Sequence, residues 1–383
     1  MPRPDATLLL EWLHSQEPAL VRLLERLVRA ESPSTDRRTQ AVPFGILARE
    51  LRRVDFVVRH VPGGEVGDHL YARPRERRRG APYQLLVGHM DTVWPRGTLQ
   101  WMPLRLEGDV LYGPGTYDMK GGLVALLFAL RALHAFGSSP TVTPVVVVNT
   151  DEEIGSTSSE RLIALLARGA VRAFVLEGGE GGEGRLKIAR KGSGRFVVTV
   201  RGRASHAGSS FDHGVSAILE LSHLVQQLFA LNDPRRGVTV NVGTVDGGLR
   251  PNVVAPEATA TVDVRVPTRA AARGLDRSIR SLHPVVAGSA VHVEGEIGPP
   301  MEPTPRNRRL LSTALRVGRE LGLELEDAGL VGGASDANTT SLYTATLDGL
   351  GPAGGSDHAP DEHMSIESTV ERAALLALLL LEA

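Results

Sequence analysis

The chain has 383 residues, of which 42% are hydrophobic and 23% charged, and its formal net charge is −1. That balance removes the electrostatic case for a nucleic-acid or anionic-membrane partner, and the composition is that of a soluble globular protein. Cysteine is absent, so disulfides, thiolate metal sites and a cysteine nucleophile are excluded, and any metal has to be held by His, Asp and Glu.

Acids and bases spread through Met1 to Arg29 leave no apolar core for a signal peptide, which predicts a cytoplasmic protein. Leu9, Leu13, Leu20, Leu23 and Leu27 stand at helical spacing and predict an amphipathic helix from Ala6 to Arg29, broken near Pro18. A turn-rich stretch, Glu31 to Asp36, leads to a helix from about Val42 to Arg53 and to the strand-favouring Phe56, Val57 and Val58. The basic run Arg77 to Arg79 is expected in a solvated loop. Tyr83 to Val87 then reads as a buried strand ending in Gly88-His89. After a Gly/Pro loop at Gly113 to Gly115, Met119 to Phe136 reads as a helix packed closely through Gly121 and Gly122. Val145 to Val148 is a second buried strand, followed by the acidic turn Thr150 to Gly155 and a helix, Ser159 to Ala167. A third strand, Ala173 to Leu176, ends at Glu177. Strands alternating with helices predict an α/β domain with a mixed, largely parallel sheet flanked by helices and with functional residues at the strand C-terminal ends.

From about Lys191 the pattern changes. Arg195 to Val200, Thr239 to Thr244 and Ala258 to Val266 read as strands around one helix, Val215 to Leu231, which describes a compact α+β module. After Pro303, a helix from Arg308 to Leu321 and a final helix return to the earlier style. A chain of this length exceeds most single cores, and the expected division is a catalytic domain in two parts, 1–190 and 303–383, with an inserted α+β domain over 191–302. The longest uncharged apolar stretch, Ala373 to Leu381, falls far short of the roughly 20 residues that span a bilayer.

Five places carry candidate chemistry. His89 and Asp91 lie two apart after a strand, so their side chains face one way and Asp91 could hold a metal-binding imidazole. Alone, the pair also reads as a hydrogen-bonded strand end. Asp118 stands at the start of a predicted helix among dense glycines, where it could be a simple N-cap or a ligand approached closely by backbone. Asp151-Glu152-Glu153 follows a buried strand, where neighbouring carboxylates repel unless something offsets the charge. Adjacent side chains diverge, so one glutamate can bind a metal while the other reaches the water it polarises. Glu177 and His358 sit in Gly-rich loops, each open to a structural reading when taken singly. Together the five places supply two imidazoles and three carboxylates, a set suited to a pair of zinc or cobalt ions bridged by one carboxylate and one water.

In this order the motifs GHMDTV, GPGTYDMKGG, NTDEEIGS, Glu177, ASHAG and GSDHAPDEH resemble the co-catalytic zinc exopeptidases. That family includes glutamate carboxypeptidase, aminoacylase, acetylornithine deacetylase and succinyl-diaminopimelate desuccinylase. The likeness spans His89 to His363 and looks nearest to the glutamate carboxypeptidases. It implies an exopeptidase-like catalytic domain with an inserted lid and dimerisation domain. By position it implies that Asp118 bridges two Zn2+ (or Co2+) ions, that His89 and Glu177 bind one and Glu153 and His358 the other. Glu152 becomes the general base, with Asp91 supporting His89. In the inserted module it implies that His206 stabilises the oxyanion across a homodimer and that Arg265 and Asn252 hold the substrate's carboxylate and carbonyl region, and beyond the module that the Gly333 loop contacts the terminal carboxylate through backbone N–H groups.

The activity so implied is hydrolysis of an amide bond to release a C-terminal amino acid from a peptide or N-acyl amino acid, with no nucleic-acid or membrane partner. An N-acyl-amino-acid deacylase or deacetylase would share every ligand. A non-catalytic binding protein is the third reading, against which the presence of Glu152 counts.

Overall fold

Uninterrupted apolar runs form the centre of a sheet. In the computed structural model, which describes residues 3–78 and 80–382, the strands Tyr83–His89, Thr143–Asn149 and Arg172–Val175 are buried along almost their whole length. Strands covered on both faces need no alternation of polarity, which is why they read as Val and Leu runs. The six strands lie in the order Phe56–Val61, His69–Pro74, Thr143–Asn149, Tyr83–His89, Arg172–Val175, Ala345–Leu347. The last four pair in parallel and the first two join antiparallel. The sheet is therefore mixed and largely parallel, as expected. Arg79, the end of the basic run assigned to a loop, lies outside the described residues.

Three local features, the first of them expected, have physical reasons. The N-terminal helical stretch breaks at Gln16 into Ala6–Ser15 and Glu17–Arg29, because Pro18 suits the first turn of a new helix and not the interior of an old one. The helix expected from Met119 begins at Gly121, and residues 116–120 form a distorted turn in which Asp118 has φ −115° and ψ 94°. Asp118 is thus not an N-cap. The strand His69–Pro74 was not expected, since its polar residues and terminal proline conceal a segment buried by pairing on both edges. Close packing at Gly122 was expected, and a Cβ there would stand 1.8 Å from the Leu176 carbonyl oxygen.

The chain divides into two compact units. One takes the residues up to Ala189, Pro303–Val331 and those from Ser335 onward; the other takes Arg190–Glu302 and Gly332–Ala334. In the first unit, helices Gly121–Ala135 and Ile366–Leu381 pack on each other and are buried on nearly all sides. A small second sheet in this unit, ordered Gly354–Gly355, His363–Ser365, Val110–Tyr112, Arg105–Glu107, anchors the loop between Gly355 and His363 next to the segment entering Asp118.

The second unit is an antiparallel sheet in the order Thr239–Gly247, Glu257–Val266, Gly192–Arg201, Ala290–Ile297. Its core joins Phe196, Val198, Val262 and Val264 to Leu221, Leu224 and Leu228 of helix Ala217–Phe229. Helix Arg269–Arg280 and strand Ala290–Ile297 add to the elements read from sequence. The helix buries only Leu275 and Ile279, too few apolar residues for a clear period. The unit's two ends pair with each other, Arg190 and Met301 exchanging main-chain hydrogen bonds of 3.0 Å each. Among the described residues no helix is long and apolar enough to cross a membrane.

Candidate active site

Parallel strands bring their C-terminal ends to one edge of the sheet, and the candidate residues follow from three of them. His89 closes the strand Tyr83–His89 and is fully buried. Its Nδ1 lies 3.0 Å from the Asp91 main-chain oxygen and 3.5 Å from the Asp91 carboxylate. The ring's shorter contact is thus to the Asp91 carbonyl and not to the carboxylate that the His-x-Asp spacing leads one to expect. The Asp91 carboxylate is instead shared: it accepts from Ser34 Oγ at 2.7 Å and from the N–H groups of Glu152 at 3.4 Å and Glu153 at 3.2 Å. One buried acid thereby braces both the histidine and the turn that carries the glutamates.

The other ring nitrogen of His89, Nε2, stands 3.0 Å from Asp118 Oδ1 and 3.7 Å from Glu177 Oε1. His358 Nε2 approaches the same aspartate from its second oxygen, 3.4 Å from Oδ2, and lies 3.1 Å from Glu153 Oε2. Asp118 therefore sits between two imidazoles, one oxygen toward each. His358 has φ 60°, a left-handed conformation that costs a non-glycine residue energy and persists where the surroundings enforce it.

Metal binding fits this arrangement. Ligand atoms of His89, Asp118 and Glu153 all lie within 4.8 Å of one another, and Glu153 Oε1 is buried with no hydrogen-bond partner. A buried carboxylate oxygen left without a partner is costly unless a cation takes its place in the account of charges. Nitrogen and oxygen donors without sulfur suit zinc, cobalt or manganese.

The charges are strongly coupled. Burial opposes a charged His89, but Asp118, Asp91 and Glu177 outweigh it and hold the imidazole well above its usual range. Hydrogen bonds to Asp118 and Glu153 raise His358 to about 11. Burial works to raise Asp118, yet the bonds from His358 and His89 prevail and hold it well below the carboxylate range. Burial pushes Glu152 well above its usual value, with Glu177, Asp336 and Glu153 adding repulsion, and raises Glu153 also, with Asp118 contributing. A glutamate raised in this way is suited to taking up a proton near neutrality.

Three further residues, given no role in the sequence reading, support this group. Asp336 is buried, accepts from Ser156 Oγ at 2.7 Å and Asn149 Nδ2 at 2.9 Å, and is pushed by burial to about 6. It thus ties down the far end of the turn containing Glu152 and Glu153. Ser34 fixes Asp91. Glu362 accepts main-chain N–H groups around Asp118; burial pushes it to about 7, against these hydrogen bonds, which favour the ionised form.

The remaining candidates belong to the second unit. His206 Nδ1 accepts the N–H groups of Gly208 and Ser209, each at 3.1 Å, which leaves the ring proton of the neutral form on Nε2. Its neighbour Ala207 donates to the Asn252 carbonyl at 3.0 Å, so His206 and Asn252 lie on facing segments. Arg265 forms a two-pronged pair with Asp263 at 3.0 and 3.1 Å on a half-exposed strand face. The Gly333 carbonyl accepts from Arg190 at 3.1 Å.

Residues 85–382 match peptidase family M20/M25/M40. Carboxypeptidase G2 of Pseudomonas sp. (strain RS-16) is 30% identical over 376 residues, covering 96% of this chain and 90% of that protein. Succinyl-diaminopimelate desuccinylase of Gluconacetobacter diazotrophicus is 30% identical over 374 residues, covering 91% and 92%. Among solved structures, aminopeptidase PepT of Bacillus cereus superposes with a TM-score of 0.74 at 20% identity, covering 95% of this chain and 98% of that one. The chain belongs to peptidase family M20/M25/M40, the metal-dependent hydrolases.

Proposed function

We propose that the chain is a cytoplasmic two-zinc hydrolase that releases a C-terminal amino acid by cleaving an amide bond, in the manner of a glutamate carboxypeptidase. The observation that carries this reading is the convergence of His89, Asp118 and Glu153, whose ligand atoms lie within 4.8 Å of one another, together with a buried Glu153 oxygen that has no hydrogen-bond partner. In this reading Asp118 would be shared by the two ions, His89 and Glu177 would hold one, and Glu153 and His358 would hold the other. Bound ions would polarise a water and the scissile carbonyl.

The chain's own residues then do the rest. Glu152 takes the proton from the attacking water and returns it to the leaving amine. His206, with its proton on Nε2, donates to the developing oxyanion. Arg265, released from Asp263, forms a fork on the substrate carboxylate, while Asn252 and the Gly333 loop hold the adjoining groups. The 191–302 module acts as a lid that excludes water as it closes.

A homodimer through that module is part of the proposal. Ile218, Leu219 and Phe229 on helix Ala217–Phe229, with Val245 on the edge strand and Leu249 just after it, are all exposed large apolar side chains. An exposed apolar face of this kind needs a cover.

The test is hydrolysis of a panel of peptidyl-glutamates, other peptidyl and N-acyl amino acids by zinc-loaded wild type and Glu152→Gln, with metal content measured on both. Release of a C-terminal amino acid by the wild type, lost in the metal-replete variant, is the expected result. Turnover confined to acetyl-amino acids would move the assignment to a deacylase. No turnover with two ions bound would make the protein a binding protein.

A further inference from the structure

The loop that carries His358 returns to the small sheet through Glu362, whose side chain is fully buried. Its two oxygens accept four hydrogen bonds. Oε2 takes the Gly115 N–H and the Trp94 indole N–H, each at 2.8 Å. Oε1 takes the N–H groups of Tyr117 at 3.0 Å and Asp118 at 3.1 Å. The Glu362 main-chain oxygen accepts a fifth, from Gly113 at 3.0 Å.

This pattern selects a carboxylate. Four donors converge on two oxygens, and only an ionised acid offers four acceptor sites with no donor. A glutamine would set its NH2 against two N–H donors whichever way the amide turned, and an aspartate falls one methylene short. The donors also mark what is held. Trp94 is three residues past Asp91, Asp118 is the aspartate between the two imidazoles, and His358 is four residues before Glu362 itself. Three chain segments that each supply a candidate metal-site residue meet on this one side chain.

We propose that Glu362 is a positioning residue for the metal centre: it fixes the backbone of Asp118 and joins the His358 loop to it, so that the spacing of His89, Asp118 and His358 is set before any ion arrives. It touches neither substrate nor ion and acts through Asp118. The proposal rests on the two-metal reading given above. Outer-sphere partners that orient ligands typically affect metal affinity or activity by 10–100-fold on removal.

The test uses the full chain with Co2+, followed by its visible absorption and by the number of ions bound, together with kcat and KM of the zinc-loaded protein. Glu362→Gln is expected to weaken cobalt binding at least about tenfold, to change the cobalt spectrum, and to lower kcat about 10–100-fold with KM shifted much less. Trp94→Phe, which leaves the three main-chain donors in place, shifts the same readouts in the same direction by a smaller factor. Should Glu362→Gln not fold, Glu362→Asp carries the test, its shortened reach again expected to alter the cobalt spectrum and affinity. A folded Glu362→Gln that binds cobalt with wild-type affinity and spectrum overturns the proposal even if its melting temperature falls, because the residue is then only structural. Wild-type protein that takes up no cobalt overturns the two-metal reading and this proposal together, whereas two ions bound equally by wild type and variant overturns this proposal alone.

Discussion

The two units hold their candidate residues in contrasting ways. In the first, His89, Asp91, Asp118, Glu152, Glu153 and Glu177 are buried or partly so, His358 alone among its candidates is exposed, and the His89 ring stands 3.0–3.7 Å from two carboxylates. In the second, His206 and Asn252 are exposed, and Arg265 is neutralised by the neighbouring Asp263. The difference separates two physical tasks. A metal site has to be built before its ion arrives, since misplaced charges in a buried site are costly. A group that meets substrate has to remain reachable, and a local partner such as Asp263 keeps an arginine satisfied until something better arrives.

Several experiments would sharpen or break that contrast. The largest effect is expected from Glu152→Gln, with kcat reduced about 10²–10⁴-fold and both ions retained; loss of the ions would show that Glu152 is a ligand and that base and ligand have been exchanged. Next, His206→Ala should lower kcat about 10²–10³-fold, as loss of an oxyanion donor does, while leaving metal content unchanged. A drop in metal content would erase the division of labour between the units.

Proton release gives the third effect. Hydrogen bonds to Asp118 and Glu153 raise His358 to about 11, so at neutral pH its imidazole is charged and a cation has to displace that proton. Metal affinity should rise with pH between 6 and 8 by up to about tenfold per unit for each proton displaced. Calorimetry in buffers of different ionisation enthalpy would count the protons, and a release of zero would contradict the assignment of His358 as a ligand.

The smallest effect concerns Asp336. Its folded value of about 6 lies above the unfolded 3.8, so the native state binds this proton more tightly than the unfolded chain. Its contribution to stability is fully present below 3.8 and declines as pH rises through about 6. In Asp336→Asn that component of the slope should vanish, Ser156 turning its hydroxyl to suit the amide. Melting curves between pH 4 and 6.5 that keep the wild-type slope would assign the slope to other groups.

Much of the first unit was legible because its signals are local. Buried strands announce themselves as Val and Leu runs, and His89-x-Asp91 and Glu152-Glu153 put chemistry at strand ends. The supports were not legible, because they act across long separations: Ser34 bonds to Asp91 over 57 residues, Asp336 to Asn149 over 187, and Glu362 to Gly115 over 247. Ser34 lies in a stretch that reads only as turn, and Glu362 lies in a motif whose stronger signal is His358. The Asp118 turn was misread as a helix start because glycine and lysine after it continue the helical pattern while the backbone at Asp118 leaves it. In the second unit, strand Ala290–Ile297 carries only three partly buried apolar residues, Val291, Val293 and Ile297, and its alternation is cut short at Gly295.

The paired ends of the second unit have a genetic consequence. Arg190 and Met301 exchange hydrogen bonds, so the intervening residues begin and end at neighbouring points in space. An ancestor could acquire or trade that segment by recombination at two sites without stretching the parent backbone, since termini that lie close together tolerate such insertion.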